Sequence, residues 1–124
     1  LDERHQSDSL LAAFPDAALV LDTTQDKVVA LNAAAATLFG VDMAQQALRF
    51  SGFLGAALAK FVVFVEEVDH RGECWTRDVP LTTLDGLPLR CEIRARGVPD
   101  VAGCLLLSFT DLDAFDKRTQ IAEA

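Results

Sequence analysis

The sequence contains no HExxH, GxSxG, phosphate-loop or CxxC motif, and no nucleophile–base pair stands out among its polar residues. The residue patterns of zinc proteases, serine hydrolases, P-loop nucleotide enzymes and dithiol redox proteins are therefore missing. No apolar run approaches the roughly 20 residues that span a bilayer, and no signal-peptide pattern occurs. Cysteine is scarce. Cys74, Cys91 and Cys104 are odd in number and lie in strand-like runs. They read as buried, reduced thiols rather than a disulfide framework, which suits a reducing cytoplasm. Basic residues are also few: 11 Lys and Arg face 19 Asp and Glu, for a formal net charge of −8. That balance argues against nucleic acid as a partner, because phosphate binding needs a basic face.

What remains is apolar. Hydrophobic residues make up 51% of the 124 positions, enough for one domain with a real core and too much for general disorder. The chain opens on Leu1 in a polar stretch, so it is expected to be a segment of a longer protein.

The chain is organised around Phe14 to Gly40, FPDAALVLDTTQDKVVALNAAAATLFG. Pro15 biases Phe14 away from helical angles. Two apolar runs, Ala17 to Leu21 and Val28 to Leu31, flank a polar loop and read as an antiparallel hairpin. Asn32 then precedes the helix-forming run Ala33 to Phe39, which Gly40 closes. Asn before a helix can accept from an orphan amide, and Gly after one can turn left-handed.

Residues 1–9 are polar, and Ser7, Asp8 or Ser9 is placed to cap a short helix reaching Phe14. Leu10, Leu11 and Phe14 share one face of it. Residues 42–56 hold two glycines and no sustained period, which predicts short helical turns. From there Leu54, Leu58, Phe61, Val65 and Val68 step by four and three, an amphipathic helix with Phe64 beside the stripe. Gly72 marks its end. Glu73 to Leu81 reads as a strand with Trp75, Val79 and Leu81 on one face, interrupted by Arg77 and Pro80 and so either short or at an edge. Asp85-Gly86 favours a tight hairpin. Leu89, Cys91, Ile93 and Ala95 alternate with Arg90, Glu92, Arg94 and Arg96, a half-buried strand with a charged outer face. Cys104 to Thr110 is the most apolar strand and is expected to be central, with Cys104, Leu106 and Ser108 on the face opposite Cys91. The tail from Asp111 is charged and helical in pattern.

The order is helix, two strands, a block of helices, three strands, helix. With Phe14-Pro15-Asp16-Ala17, Val20-Leu21-Asp22, Val28 to Ala34 and Leu38-Phe39-Gly40, it resembles the PAS domain family of intracellular sensors. The loop TTQDK lacks the glycine that the family often places there. The family's Asp-Ile-Thr-like corner is met by Thr110-Asp111-Leu112-Asp113, with Asp in the third position. The resemblance implies an α+β fold: a five-stranded antiparallel sheet in the order 2-1-5-4-3, with helices packed on one face and a flanking helix at each end. Residues 1–14 would be the N-terminal flank, 15–111 the domain and 112–124 a connector helix. The alternative is a cystatin-like, cone-shaped α+β domain that binds or transforms a small molecule. Such folds begin with a long helix and lack a crossover like that at Asn32, so the sheet order separates the two.

The resemblance also directs attention to a ligand site between the sheet and the helical block. Flavin members that form a cysteinyl adduct need a reactive Cys there, whereas Ala47 to Leu54 contains none; coumaric-acid members need tyrosine, and the chain has none. Haem members supply a His from the long helix. His70 sits at the helix end, where solvent and the helix dipole account for it, and His5 lies in the polar N-terminal stretch. No cofactor and no metal are expected. The pocket is expected to be apolar, formed by Leu58, Phe61, Val65, Leu89, Ile93 and Leu107, either tightly filled or holding a small apolar ligand. Leu10, Leu11 and Phe14 would each forgo roughly 1.5–3 kcal/mol if left in water, and are expected to cover the outer sheet face and a second subunit in a homodimer. Leu112, Phe115, Thr119 and Ala122 form a weak helical seam. The implied function is a non-catalytic sensory and dimerisation module of a bacterial-type cytoplasmic signalling or transcription-regulatory protein. Asn32 would hold the fold, and Asp111 would transmit the signal to a kinase, a cyclic-dinucleotide enzyme or a transcription factor. A module that only pairs subunits, without ligand, is the simplest form of this reading.

Overall fold

The computed structural model describes residues 11, 14–42, 48–99 and 101–113. Its strands are β1 (Ala17–Asp22), β2 (Lys27–Leu31), β3 (Glu73–Thr76), β4 (Leu81–Thr82), β5 (Pro88–Leu89), β6 (Cys91–Gly97) and β7 (Cys104–Asp111). Its α-helices are α1 (Ala33–Phe39) and α2 (Leu58–Arg71), with 3-10 turns at Phe50–Phe53 and Gly55–Ala57. Five strands form one antiparallel sheet in the order β2-β1-β7-β6-β3, while β4 and β5 pair separately. Counting only the five main strands along the chain, this is 2-1-5-4-3. It is the order the PAS resemblance implies, and it rules out the cone-shaped alternative.

The β1–β2 hairpin and the capped helix form where the sequence predicts them, and Asn32 does more than cap. Its Oδ1 accepts from the Ala35 amide at 2.9 Å and from the Ala18 amide at 3.0 Å. Its Nδ2 donates to the Asp16 carbonyl at 2.8 Å. One side chain thus satisfies an orphan amide of α1 and stitches the helix entry to the start of β1. Gly40 closes α1 at φ 70°, a conformation that costs glycine little. Asp26 ties the hairpin loop to the first 3-10 turn, accepting from the Ser51 amide and hydroxyl.

Each sheet face has its own apolar cluster. The inner face joins Leu19, Leu21, Cys91, Ile93, Ala95, Leu105, Leu107 and Phe109 to the helical side. The outer face gathers Ala18, Val20, Ala30, Cys104 and Leu106 under Leu11, with Phe14, Val98 and Val101 at its margin. Cys91 and Cys104 therefore lie on opposite faces, as the alternation predicts, and none of the three cysteines is in a disulfide.

Three expectations are corrected. The long helix begins at Leu58, since Leu54 belongs to the preceding turn. Its buried stripe is Phe61, Phe64 and Val68, and Leu58 is 48% exposed. The four-residue step from Leu54 to Leu58 crosses a change of backbone geometry, so it carries no common face. Trp75 does not share a face with Val79 and Leu81. β3 stops at Thr76, and Trp75 points outward at 60% exposure while Val79 and Leu81 are buried. The run around residue 89 is not one strand: it breaks at Arg90 between β5 and β6. The expected flanking helix at 8–14 and the connector at 112–124 lie largely outside the described residues.

Candidate functional site

A cluster of phenylalanine side chains lies between helices and sheet. Phe39 stacks on Phe53 with ring centroids 4.5 Å apart and meets Phe109 edge-on at 5.1 Å. Phe50 contacts Phe61 at 4.9 Å and Phe109 at 6.1 Å. These rings come from α1, the first 3-10 turn, α2 and β7, so one aromatic cluster couples the helical elements to the central strand. Of the expected pocket residues, Phe61, Ile93 and Leu107 are buried in this core, and Val65 and Leu89 are half-buried against it. Leu58 is not among them. Its position in the first turn of α2 rotates it to solvent. The core offers a ligand dispersion contacts and almost no polarity. Cys91 is its one fully buried titratable group among the described residues, and burial, with the carboxylates of Asp111 and Asp113 nearby, pushes its thiol from 9.0 up to about 12.

At the end of β7 the chain is held to the beginning of β6. The Leu112 amide donates to the Arg90 carbonyl at 2.9 Å, and the Arg90 guanidinium pairs with Asp113 at 3.1 Å. Asp111 Oδ1 accepts from the Asp113 amide at 3.0 Å, as an acidic residue at a helix start can. Between this corner and the 77–80 loop lies a shallow cleft of about 310 Å³, floored by Val79, Pro80, Leu89 and Cys91.

The outer face divides into two halves. Leu11, 2% exposed, seals the apolar half, and Phe14 lies half-buried at its border. Leu10, the third residue of the expected dimer face, is outside the described residues. The other half carries Glu92 between two arginines, its carboxylate accepting from Arg94 Nε at 3.0 Å and Arg77 Nε at 3.1 Å. Those bonds, Arg94's first, hold the Glu92 carboxyl below its ordinary range despite the opposing effect of burial. Glu92 is the only buried charged residue among the described ones. Alternation places it on the charged outer face, but only the register shows Arg77 arriving from the loop beyond β3 to cover it.

Among the described residues, no three His, Cys, Asp or Glu side chains are placed to hold a metal ion. His70 is exposed in the last turn of α2, and His5 is outside the described residues. Among the described residues no helix is long and apolar enough to cross a membrane.

No protein-family model matches the chain, and no curated protein matches it. Solved structures do. A PAS domain from Colwellia psychrerythraea superposes with a TM-score of 0.68 at 16% identity, over 89% of this chain and 97% of that one. The PAS domain of nitrogen regulation protein NR(II) from Vibrio parahaemolyticus gives 0.60 at 20% identity, over 83% and 94%. The PAS domain of the fruit-fly ELK potassium channel gives 0.66 at 12% identity, over 90% and 98%. Sheet order, helical block and these superpositions agree: the chain has the PAS fold.

Proposed function

We propose that the chain is a non-catalytic sensory and dimerisation module of a larger cytoplasmic signalling or transcription-regulatory protein of bacterial type. It couples a small apolar ligand, or the state of a partner, to an output domain beyond residue 124. Similar folds occur in a two-component sensor histidine kinase and in nitrogen regulation protein NR(II), which among the candidate outputs favours a kinase.

The observation that carries this reading is the corner at Asp111. β7 is the central strand and contributes Phe109 to the aromatic cluster. Two residues later the same strand ends in the Asp111 cap and the Arg90–Asp113 tie. A change in core packing that moves Phe109 therefore moves the start of the connector. Signal enters at the phenylalanine cluster and leaves through residues 112–124.

The test uses the full-length protein. Asp111→Ala removes the cap while leaving the sheet ladder intact, so the signal response is lost with the fold retained. A normal response at unchanged thermal stability would refute the route through Asp111. Gently purified protein, examined by native mass spectrometry, should carry either nothing or a small apolar molecule. A visible haem or flavin band would overturn the apolar-ligand reading.

A further inference from the structure

The β4–β5 hairpin stands apart from the main sheet. Each of its strands is two residues long, and a two-stranded ribbon of that size is marginal by itself. It is held by what surrounds it. Leu81 is 1% exposed in the core, and Leu89 packs half-buried against that core. The turn is closed from the Thr83 amide to the Leu87 carbonyl at 2.8 Å and from the Gly86 amide to the Thr83 carbonyl at 3.0 Å. The Leu87 amide donates to the Thr83 hydroxyl at 3.0 Å.

The turn reaches the helical side. The Leu84 amide donates to the Phe39 carbonyl at 2.9 Å. Phe39 is the last residue of α1, so its carbonyl is one that the helix itself leaves unpaired. The Phe39 ring lies in the aromatic cluster, against Phe53 and Phe109. The outgoing strand reaches the corner. One residue beyond β5 stands Arg90, whose carbonyl accepts from the Leu112 amide and whose guanidinium pairs with Asp113. That ion pair is more than half exposed on both sides and contributes little alone. The backbone bond from Leu112 therefore carries most of the hold.

We infer that the β4–β5 hairpin is a clasp between the aromatic cluster and the connector. Its turn follows Phe39, and its outgoing strand sets Arg90 and with it Leu112. The inference rests on the signalling route proposed above and adds a second path, one that bypasses β7. A small, weakly self-supporting hairpin suits this role because it can shift without breaking the five-stranded ladder.

Two proline substitutions cut the clasp at opposite ends. Leu84 is the second residue of the Thr83–Gly86 turn, a position that favours proline, and its side chain is 45% exposed. Leu84→Pro removes the donor to Phe39 and keeps the turn. Leu112 follows the Asp111 cap at the first position of a helix, which also accepts proline. Leu112→Pro removes the donor to Arg90. Amide hydrogen exchange is then read by NMR. Because coupling is reciprocal, Leu84→Pro speeds exchange at Leu112 and Leu112→Pro speeds it at Leu84, each by about fivefold or more. Leu107, in the central strand, exchanges as in wild type. Leu84→Ala and Leu112→Ala keep both amides and leave the far one unchanged. Should one proline variant misfold by circular dichroism, the other decides. A folded variant whose far amide exchanges at the wild-type rate, or only in step with Leu107, overturns the clasp. The path through Phe109 would still stand, and Asp111→Ala tests it separately in the full-length protein.

Discussion

Asn32 Oδ1 accepts a hydrogen bond at 3.0 Å from the backbone amide of Ala18, fourteen residues earlier in the chain. The same oxygen caps α1, so removing it leaves two amides unpaired. Asn32→Ala is expected to lower stability by about 2 kcal/mol, combining a lost cap with an unsatisfied, part-buried amide. Asn32→Asp keeps both acceptor contacts and loses only the donor to Asp16, so its stability falls between wild type and Ala. Urea denaturation of the three proteins checks the order. A neutral Asn32→Ala would show that the hairpin and the helix entry hold without the stitch.

The aromatic cluster yields a contrast within one measurement. Phe39 is fully buried among Phe50, Phe53 and Phe109, so Phe39→Ala should cost about 3–5 kcal/mol. Leu58, although it belongs to an amphipathic pattern in sequence, lies half in water. Leu58→Ala should cost under about 1 kcal/mol. Equal losses at the two sites would contradict the phase of α2.

Cys91 sets an alkaline limit. Its thiol is pushed up to about 12 in the folded chain from 9.0, so the native state holds a proton that the unfolded state releases. The contribution is complete below pH 9 and is lost as pH rises toward 12, at up to about 1.4 kcal/mol per pH unit. Cys91→Ala should flatten that slope in denaturation experiments at about pH 8 to 11. In the native protein the half-buried Cys74 should react with a disulfide reagent before Cys91 and Cys104 do.

Glu92 sets an acid limit of opposite sign. Its folded carboxyl lies below the ordinary value of 4.5, mainly through the hydrogen bond from Arg94. The stabilisation is present above pH 4.5 and disappears as pH falls through the folded value. Glu92→Gln should cost about 1–2 kcal/mol near neutral pH and reduce the loss of stability as pH falls below 4.5. A mutant that keeps the full acid sensitivity would assign it to other carboxylates.

The parts legible in the sequence are those set by neighbours a few residues away. The hairpin, the Asn32 cap, the Gly40 stop and the Cys91–Ile93–Ala95 alternation all depend on local periods and short-range hydrogen bonds. Alternation misplaces Trp75 because a period of two holds only while a strand continues, and β3 ends one residue later. Helical periodicity misplaces Leu58 for the matching reason at a helix start. The bonds from Asn32 to Ala18 and Asp16, and the Arg77–Glu92–Arg94 cluster, join segments that only the sheet register brings together. No local pattern announces them. The apolar face of Leu11 correctly points to the outer sheet, but periodicity cannot tell a surface covered by its own chain from one left for a partner.

The sheet order has a consequence for how such a unit joins other domains. Ala17, at the start of β1, pairs with Phe109, two residues before the end of β7. The chain thus enters and leaves on adjacent strands at the same end of the sheet, separated sideways by one strand spacing of roughly 5 Å. Everything between is a closed excursion from that point. A polypeptide interrupted there would need to open by only about the width of one strand to receive the unit as a cassette. Twisting or shearing the junction would load the β1–β7 ladder directly, making that pair of strands the mechanical hinge between the segments on either side of the unit.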